Sequence, residues 1–231
     1  MSITIDYYSD VLCIWGYSAK IKIDEMKKDF GQKININYRY TPLFVDMHAM
    51  LEKNWAEKGG LQAYNKMMHK LNAMFPYVEI HPQIGLQNLP HSSASCHQFL
   101  KAIDLLEQRG EIQSKDTENT LLEQIDWLIR LGYFRDAQDV SQQSILLSYA
   151  EQLNIPGKAI ETLLDNGEAM AALASCTSDD KQKLIEGSPS FVLNEGRQKL
   201  YGNIGYNIIA SNIKALLEND DNTNINQPTW Y

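Results

Sequence analysis

The first forty residues follow a strand–helix–strand pattern, and this order constrains the fold more than any other feature of the chain. Residues 3–8 and 34–40 each alternate their side chains with the period of two that is typical of strands. Between them, residues 19–30 carry apolar side chains at helical spacing, and Gly31 follows as an expected C-cap. Such a unit implies two parallel strands with a right-handed crossover, and it places the first loop at the carboxyl edge of the sheet.

Cys13 lies in that loop, within Ser9-Asp10-Val11-Leu12-Cys13-Ile14-Trp15-Gly16-Tyr17, directly before the helical pattern. A thiol at a helix N-terminus faces unpaired backbone N–H groups and the positive end of the helix dipole, which favour the thiolate. We therefore predict a nucleophilic thiol with a lowered pKa, alkylated well below about pH 8. The alternative is an inert, half-buried cysteine. Gly16 stands where a dithiol enzyme has its second cysteine, so only one local thiol is present.

Composition excludes several classes of function. The 231 residues include 44% hydrophobic residues and carry a net charge of −8, with no basic stripe that would indicate nucleic acid as a partner. No apolar run is long enough to span a membrane, and the N-terminus lacks a signal-peptide pattern. Three widely spaced cysteines do not form a disulfide framework, and the five histidines lack metal-ligand spacing. We expect a cytoplasmic protein without a metal.

The pattern changes twice more along the chain. Residues 46–186 show helical periodicities broken at Gly and Pro residues, which predicts an inserted all-helical subdomain. Residues 190–201 predict a β-hairpin, and a helical stripe then ends near Glu218. The predicted organisation is a discontinuous domain at 1–45 and 187–218, the insertion at 46–186, and a mobile tail at 219–231.

This layout resembles the α/β thioredoxin-like fold (βαβ…ββα) with the large helical insertion of the DsbA family. The matching segments are the loop at 9–17, Gly187-Ser188-Pro189-Ser190-Phe191-Val192, and residues 200–206; residues 95–100 match only weakly. The chain looks closest to the cytosolic branch with FrnE-like thiol oxidoreductases, 2-hydroxychromene-2-carboxylate isomerases and kappa-class glutathione transferases.

The resemblance implies a site around Cys13. Pro189 is expected to be a cis proline facing the thiol, which leaves the backbone of Ser188 free to pair with a peptide or with glutathione; the alternative is a trans proline at a strand start. Trp15 either shapes the pocket beside the sulfur or packs in the interior. Together with Gly16, these residues form the predicted substrate-binding site.

The remaining candidates have plainer expected roles. Cys96 and Cys176 lie in predicted helices, where small core residues are the expectation and a remote resolving thiol is the alternative. Asp10 is expected to act as a cap, and it would oppose thiolate formation if it pointed toward the sulfur. His91 and His97 are expected in ordinary surface or core positions, with a substrate cleft as the alternative.

Two departures from the family pattern bear on function. Dithiol members carry Cys-Pro-Trp-Cys or a similar motif, whereas this chain has Ile14 and Gly16; glutathione-dependent relatives often have serine where this chain has Cys13. We predict a monothiol DsbA-like thiol–disulfide oxidoreductase that acts on thiol or disulfide substrates, with glutathione as a candidate cosubstrate and no tightly bound cofactor. The alternatives are a glutathione-dependent isomerase or transferase, and a non-catalytic binding module. By analogy with relatives, the protein is a candidate homodimer.

Overall fold

The computed structural model describes residues 2–182, 185 and 187–222. Within them, the strands are β1 (Ile3–Ser9), β2 (Ile34–Tyr40), β3 (Ser190–Leu193) and β4 (Gln198–Tyr201). The α-helices are α1 (Ile14–Ser18), α2 (Lys20–Phe30), α3 (Met47–Trp55), α4 (Gly60–Asn72), α5 (Ala94–Gln108), α6 (Leu121–Phe134), α7 (Gln143–Gln152), α8 (Gly157–Asp165), α9 (Glu168–Gln182) and α10 (Tyr206–Asn222).

The strands form one four-stranded sheet in the order β2-β1-β3-β4. β1 pairs with β2 in parallel, in a register that runs from Ile3 opposite Ile34 to Ser9 opposite Tyr40. β3 is antiparallel to both β1 and β4. The predicted strand–helix–strand unit and the predicted hairpin are therefore confirmed. The strand ends that carry the loops after β1 and β2 lie together, so these loops meet at one edge of the sheet.

Local sequence explains where these elements end. Gly31 is the C-cap of α2 and has a φ of 49°, a conformation that glycine adopts at little cost. In the hairpin, Asn194, Glu195 and Gly196 have φ values of 48°, 59° and 96°. This left-handed backbone reverses the chain between β3 and β4, as the turn residues predicted.

Between β2 and β3, the described regular structure is helical, and α5 packs against α6, α8 and α9. Tyr17 links the sheet domain to these helices, because its ring stacks on Phe134 at 4.5 Å and on Trp127 at 5.1 Å. The predicted thioredoxin-like arrangement with a helical insertion is confirmed by the strand order and by these helices, whereas the boundaries at 45 and 187 stay predictions. No helix in the described ranges is long and apolar enough to cross a membrane.

The structure differs from the sequence prediction at two helix ends. The first predicted helix is interrupted at Ala19, which is both the C-cap of α1 and the N-cap of α2. The last helix continues to Asn222 rather than ending near Glu218. Residues 223–231 of the predicted tail lie outside the described residues.

Candidate active site

Cys13 is the N-cap of α1 and closes a tight turn that begins at Asp10. The Cys13 backbone N–H donates to the Asp10 carbonyl at 3.1 Å, and the Leu12 N–H donates to the Asp10 carboxylate at 2.8 Å. The Asp10 N–H donates to the Ser188 hydroxyl at 3.0 Å, and the Val11 N–H donates to His97 Nε2 at 3.2 Å. All four amides of the turn are therefore paired, which fixes the position of the thiol.

The loop before β3 lies against the thiol. The Ser188–Pro189 peptide bond is cis, and the Cys13 thiol donates to the Ser188 carbonyl at 3.3 Å. The Ser188 hydroxyl is 3.2 Å from the Ser9 hydroxyl, which links this loop to the end of β1. The structure thus brings together Cys13, Ser188 and Pro189, and the expected cis proline facing the thiol is confirmed.

The ionisation of Cys13 differs from the sequence prediction. Only 6% of the residue is exposed, and this burial raises the pKa of the thiol above its usual value of 9.0. The Ser188 side chain and the Gly16 and Trp15 backbone N–H groups lower the pKa, but they do not outweigh the burial. The predicted low pKa is therefore wrong, because burial raises the pKa of the Cys13 thiol. The resting sulfur is therefore a thiol that donates its proton to the Ser188 carbonyl.

Asp10 is completely buried and supports two loops at once. Its second carboxylate oxygen accepts the backbone N–H groups of Leu43 and Phe44 at 2.7 and 3.1 Å, and the Ser93 hydroxyl at 2.6 Å. These donors join the Cys13 turn to the loop after β2 and to the start of α5. The charge of Asp10 also raises the pKa of Cys13, after the larger effect of burial. Asp10 therefore holds the Cys13 turn to its neighbouring loops and is not the helix cap that the sequence predicted.

Gly16 is packed so closely that this position does not accommodate a side chain without movement. A Cβ placed there would lie 2.3 Å from the Ser9 hydroxyl and 2.8 Å from Arg130 Nη1. The space where a second cysteine would stand is therefore filled by two polar side chains. This packing makes the glycine an integral part of the site.

Arg130 holds this arrangement from α6. Its guanidinium is buried and pairs with Asp126 at 2.7 Å, and it donates to the Asp10 carbonyl and the Ser9 hydroxyl, each at 3.2 Å. Burial opposes the charge, but Asp126 raises the pKa of Arg130 above its usual value. Our sequence interpretation missed Arg130, although a carboxylate and a guanidinium four residues apart on an apolar helix signal a buried pair.

A family model for the DSBA-like thioredoxin domain matches residues 4–214 of the chain. The chain belongs to this family. No curated protein matches it at a significant level. Among solved structures, a protein assigned as a protein disulfide isomerase from Nitrosomonas europaea superposes with a TM-score of 0.73 at 15% identity, covering 95% of this chain and 99% of that one.

Two further solved structures share the fold of this DSBA-like domain. The cytosolic disulfide reductase DsbM from Pseudomonas aeruginosa gives a TM-score of 0.65 at 14% identity, covering 94% of this chain and 98% of that one, and it has also been solved with GSH. A 2-hydroxychromene-2-carboxylate isomerase gives a TM-score of 0.62 at 14% identity, covering 95% of this chain and 98% of that one. At these identities the similarity establishes the fold alone.

Trp15, the remaining predicted site residue of this DSBA-like domain, is half-buried beside Cys13. Its ring meets the Phe75 ring edge-on at 5.6 Å, so it contributes to the packing between α1 and the segment after α4. Tyr77 continues this aromatic contact and leaves 45% of its own surface exposed. The interior-packing interpretation of Trp15 agrees with these contacts, and a role in shaping the substrate pocket stays a prediction.

The other sulfur and imidazole groups that the sequence singled out occupy different environments. Cys96 and Cys176 are buried in α5 and α9, as predicted, and all three cysteines are free thiols. Across the described residues, no group of three or more His, Cys, Asp or Glu side chains could hold a metal ion. The ring of His91 stacks on His48 at 4.6 Å, whereas His97 is fully buried beside the Cys13 turn.

Proposed function

We propose that this DSBA-like protein is a monothiol thiol–disulfide oxidoreductase that uses Cys13 and an external thiol such as glutathione. The observation that carries the proposal is the position of the Cys13 sulfur, 3.3 Å from the Ser188 carbonyl at the cis peptide bond. The packing at Gly16 supports a mechanism without a local second thiol. A cytoplasmic location, where glutathione is abundant, is part of this proposal.

The reaction consists of two thiol exchanges. In the first, the Cys13 thiol loses its proton and the thiolate attacks a disulfide, which forms a mixed disulfide on Cys13 and releases one substrate thiolate. That thiolate takes up a proton. In the second exchange, the thiolate of glutathione attacks the mixed disulfide, forms a new disulfide with the substrate sulfur and releases Cys13. The net reaction converts one substrate disulfide and one external thiol into one new disulfide and one substrate thiol.

The Ser188 carbonyl has a role in the first exchange. In the resting protein it accepts the Cys13 S–H, and this hydrogen bond ends when the thiol loses its proton. The carbonyl is then available to a backbone N–H of a peptide or of glutathione, which would pair with it as in a β-strand. Substrate binding and thiol ionisation are therefore linked, because both use the same oxygen.

The raised pKa of Cys13 favours a second candidate function. A thiol that stays protonated can donate a hydrogen bond to the sulfur of bound glutathione and help to activate it, without entering a disulfide. This is the chemistry of a glutathione-dependent isomerase or transferase acting on an aromatic electrophile. The fold is also that of the 2-hydroxychromene-2-carboxylate isomerase, although the low identity gives this similarity no weight beyond the fold.

Turnover assays on Cys13→Ser distinguish these functions, because serine can donate a hydrogen bond but cannot form a disulfide. The oxidoreductase proposal predicts that the protein reduces a glutathione–cysteine mixed disulfide with reduced glutathione, and that Cys13→Ser abolishes this activity. The buried Cys96→Ser is the matched control and should retain it. Conversion of an aromatic electrophile by both the native protein and Cys13→Ser would instead support the second candidate. Inactivity in both assays would indicate a binding module.

A further inference from the structure

His97 is a buried histidine for which the thiol chemistry gives no direct role. It lies in α5, and its Nε2 accepts the backbone N–H of Val11 at 3.2 Å, two residues before Cys13. An imidazole nitrogen can accept a hydrogen bond only when it carries no proton. The neutral ring therefore has its proton on Nδ1, and this form holds the turn.

The surroundings of His97 indicate more than packing. Its ring stacks on Tyr40 at 5.2 Å, a contact that a phenyl ring would also make. Nδ1, however, is buried without a hydrogen-bond partner among the described residues. A buried unpaired N–H is unfavourable, so packing alone does not account for a histidine here. The bond to Val11 is the interaction that a phenyl ring would lose.

Charged groups face His97 from several elements. Asp10, before α1, has a carboxylate oxygen 3.8 Å from Nε2, while α6 contributes Asp126 and Arg130. Lys101 follows one turn later on α5. Burial lowers the pKa of His97 below its usual value of 6.5, Asp10 raises it, and Arg130 lowers it. The ring is therefore neutral at neutral pH.

We propose that His97 is a positioning residue for Cys13, and that its protonation at acidic pH releases the turn that holds the thiol. A proton on Nε2 removes the acceptor for the Val11 N–H. The protonated nitrogen is then a donor to the nearby Asp10 oxygen, which also accepts the Leu12 N–H. Two of the four hydrogen bonds of the turn are thus weakened together. The effect on catalysis rests on the proposed function of Cys13.

The first test uses the native protein and needs no variant. Nitrogen and amide NMR signals of His97 and Val11 are followed from pH 8 downward until the His97 ring titrates, which its lowered pKa places below the usual histidine midpoint. We expect an Nδ1-protonated ring at pH 8, and a change in the Val11 amide signal with the same midpoint as the ring. An Nε2-protonated tautomer, or a Val11 amide that does not respond to the titration, would overturn the proposal.

The second test compares two substitutions by the rate at which iodoacetamide alkylates Cys13. His97→Gln keeps an acceptor in the place of Nε2 but does not titrate, whereas His97→Phe keeps the ring and loses the acceptor. We expect His97→Phe to change the rate by about tenfold at neutral pH, the effect of one hydrogen bond, and His97→Gln to restore most of the native rate. The ratio of the native rate to the His97→Gln rate should change as His97 titrates.

A constant ratio, or equal rates for all three proteins, would contradict the positioning role. If His97→Phe does not fold, the NMR titration and the His97→Gln ratio still decide the question. Alkylation needs no disulfide substrate, so a protein that fails to exchange disulfides but shows both titration effects would contradict only the proposed function.

Discussion

The backbone of Gly16 and the guanidinium of Arg130 are in such close contact that a Cβ at position 16 would lie 2.8 Å from Nη1. Arg130 reaches this place because it is held by Asp126 on the same helix and by the Asp10 carbonyl. The buried Asp126–Arg130 ion pair of the helical insertion therefore occupies space that a cysteine side chain at position 16 would need. Restoring the thiol would require this polar group to move.

Gly16→Ala should destabilise the protein by about 1–3 kcal/mol, the usual cost of overpacking a tight interior site. Gly157→Ala is the matched control, because Gly157 also lies in the first turn of a helix and its Cβ would meet the nearest atom at an ordinary 3.4 Å. Urea unfolding measures both free energies. Equal stability of the two variants would contradict the packing described at Gly16. Gly16→Cys should be destabilised like Gly16→Ala.

Removing one partner of the buried Asp126–Arg130 ion pair should destabilise the folded protein more than removing both partners. Arg130→Met leaves the Asp126 carboxylate buried and unpaired, and we expect a loss of about 3–5 kcal/mol in the free energy of unfolding. Asp126→Leu combined with Arg130→Met should recover part of this loss. In the Arg130→Met background, Gly16→Ala should cost less than it does in the native protein, since Nη1 is gone; strictly additive effects would disprove the contact.

Ser188→Ala should raise the pKa of Cys13 further, because the Ser188 side chain lowers that pKa in the native protein. In the native protein, the rate of Cys13 alkylation should keep rising with pH beyond 9.0, since burial places the pKa above that value. The profile of Ser188→Ala should be displaced to higher pH. Ser190→Ala is the control, since its hydroxyl donates to the Gly187 carbonyl at 2.8 Å. Identical profiles for Ser188→Ala and the native protein would show that the Ser188 side chain does not lower the pKa of Cys13.

The stability of the protein should fall as the pH drops below about 6.5. The pKa of His97 is lowered in the folded state, so the unfolded chain takes up a proton there that the folded chain does not. The titration of this one group can change the free energy of unfolding by at most about 1.4 kcal/mol per pH unit. Urea unfolding at several pH values should show a shallower slope for His97→Gln. An unchanged slope in His97→Gln would rule out His97 as the source.

Local sequence patterns predicted the sheet and the position of the thiol. The strands β1 and β2 each alternate their side chains, and the turn at 194–196 adopts the left-handed backbone that its turn residues favour. The cis bond before Pro189 was expected from the family resemblance, because sequence alone favours trans. These features depend on neighbours in the sequence or on a shared motif.

The electrostatics of the site depends on contacts between distant parts of the chain. The helix N-terminus predicted a low pKa for Cys13, but the burial that reverses this result comes from the packing of segments far apart in the sequence. The same holds for His97, which reaches the turn from α5, and for Arg130, which reaches it from α6. A single sequence shows each charge but not the group that faces it.

The central claim is that Cys13 exchanges disulfides without a second local thiol. Mass spectrometry of the intact protein after exposure to oxidised glutathione tests it most directly, and digestion then locates any adduct. We predict a glutathione adduct on Cys13 that reduced glutathione removes, with Cys96, which is completely buried, unmodified. The absence of an adduct on Cys13 at alkaline pH, where the thiol ionises, or an adduct that glutathione does not remove, would contradict the account.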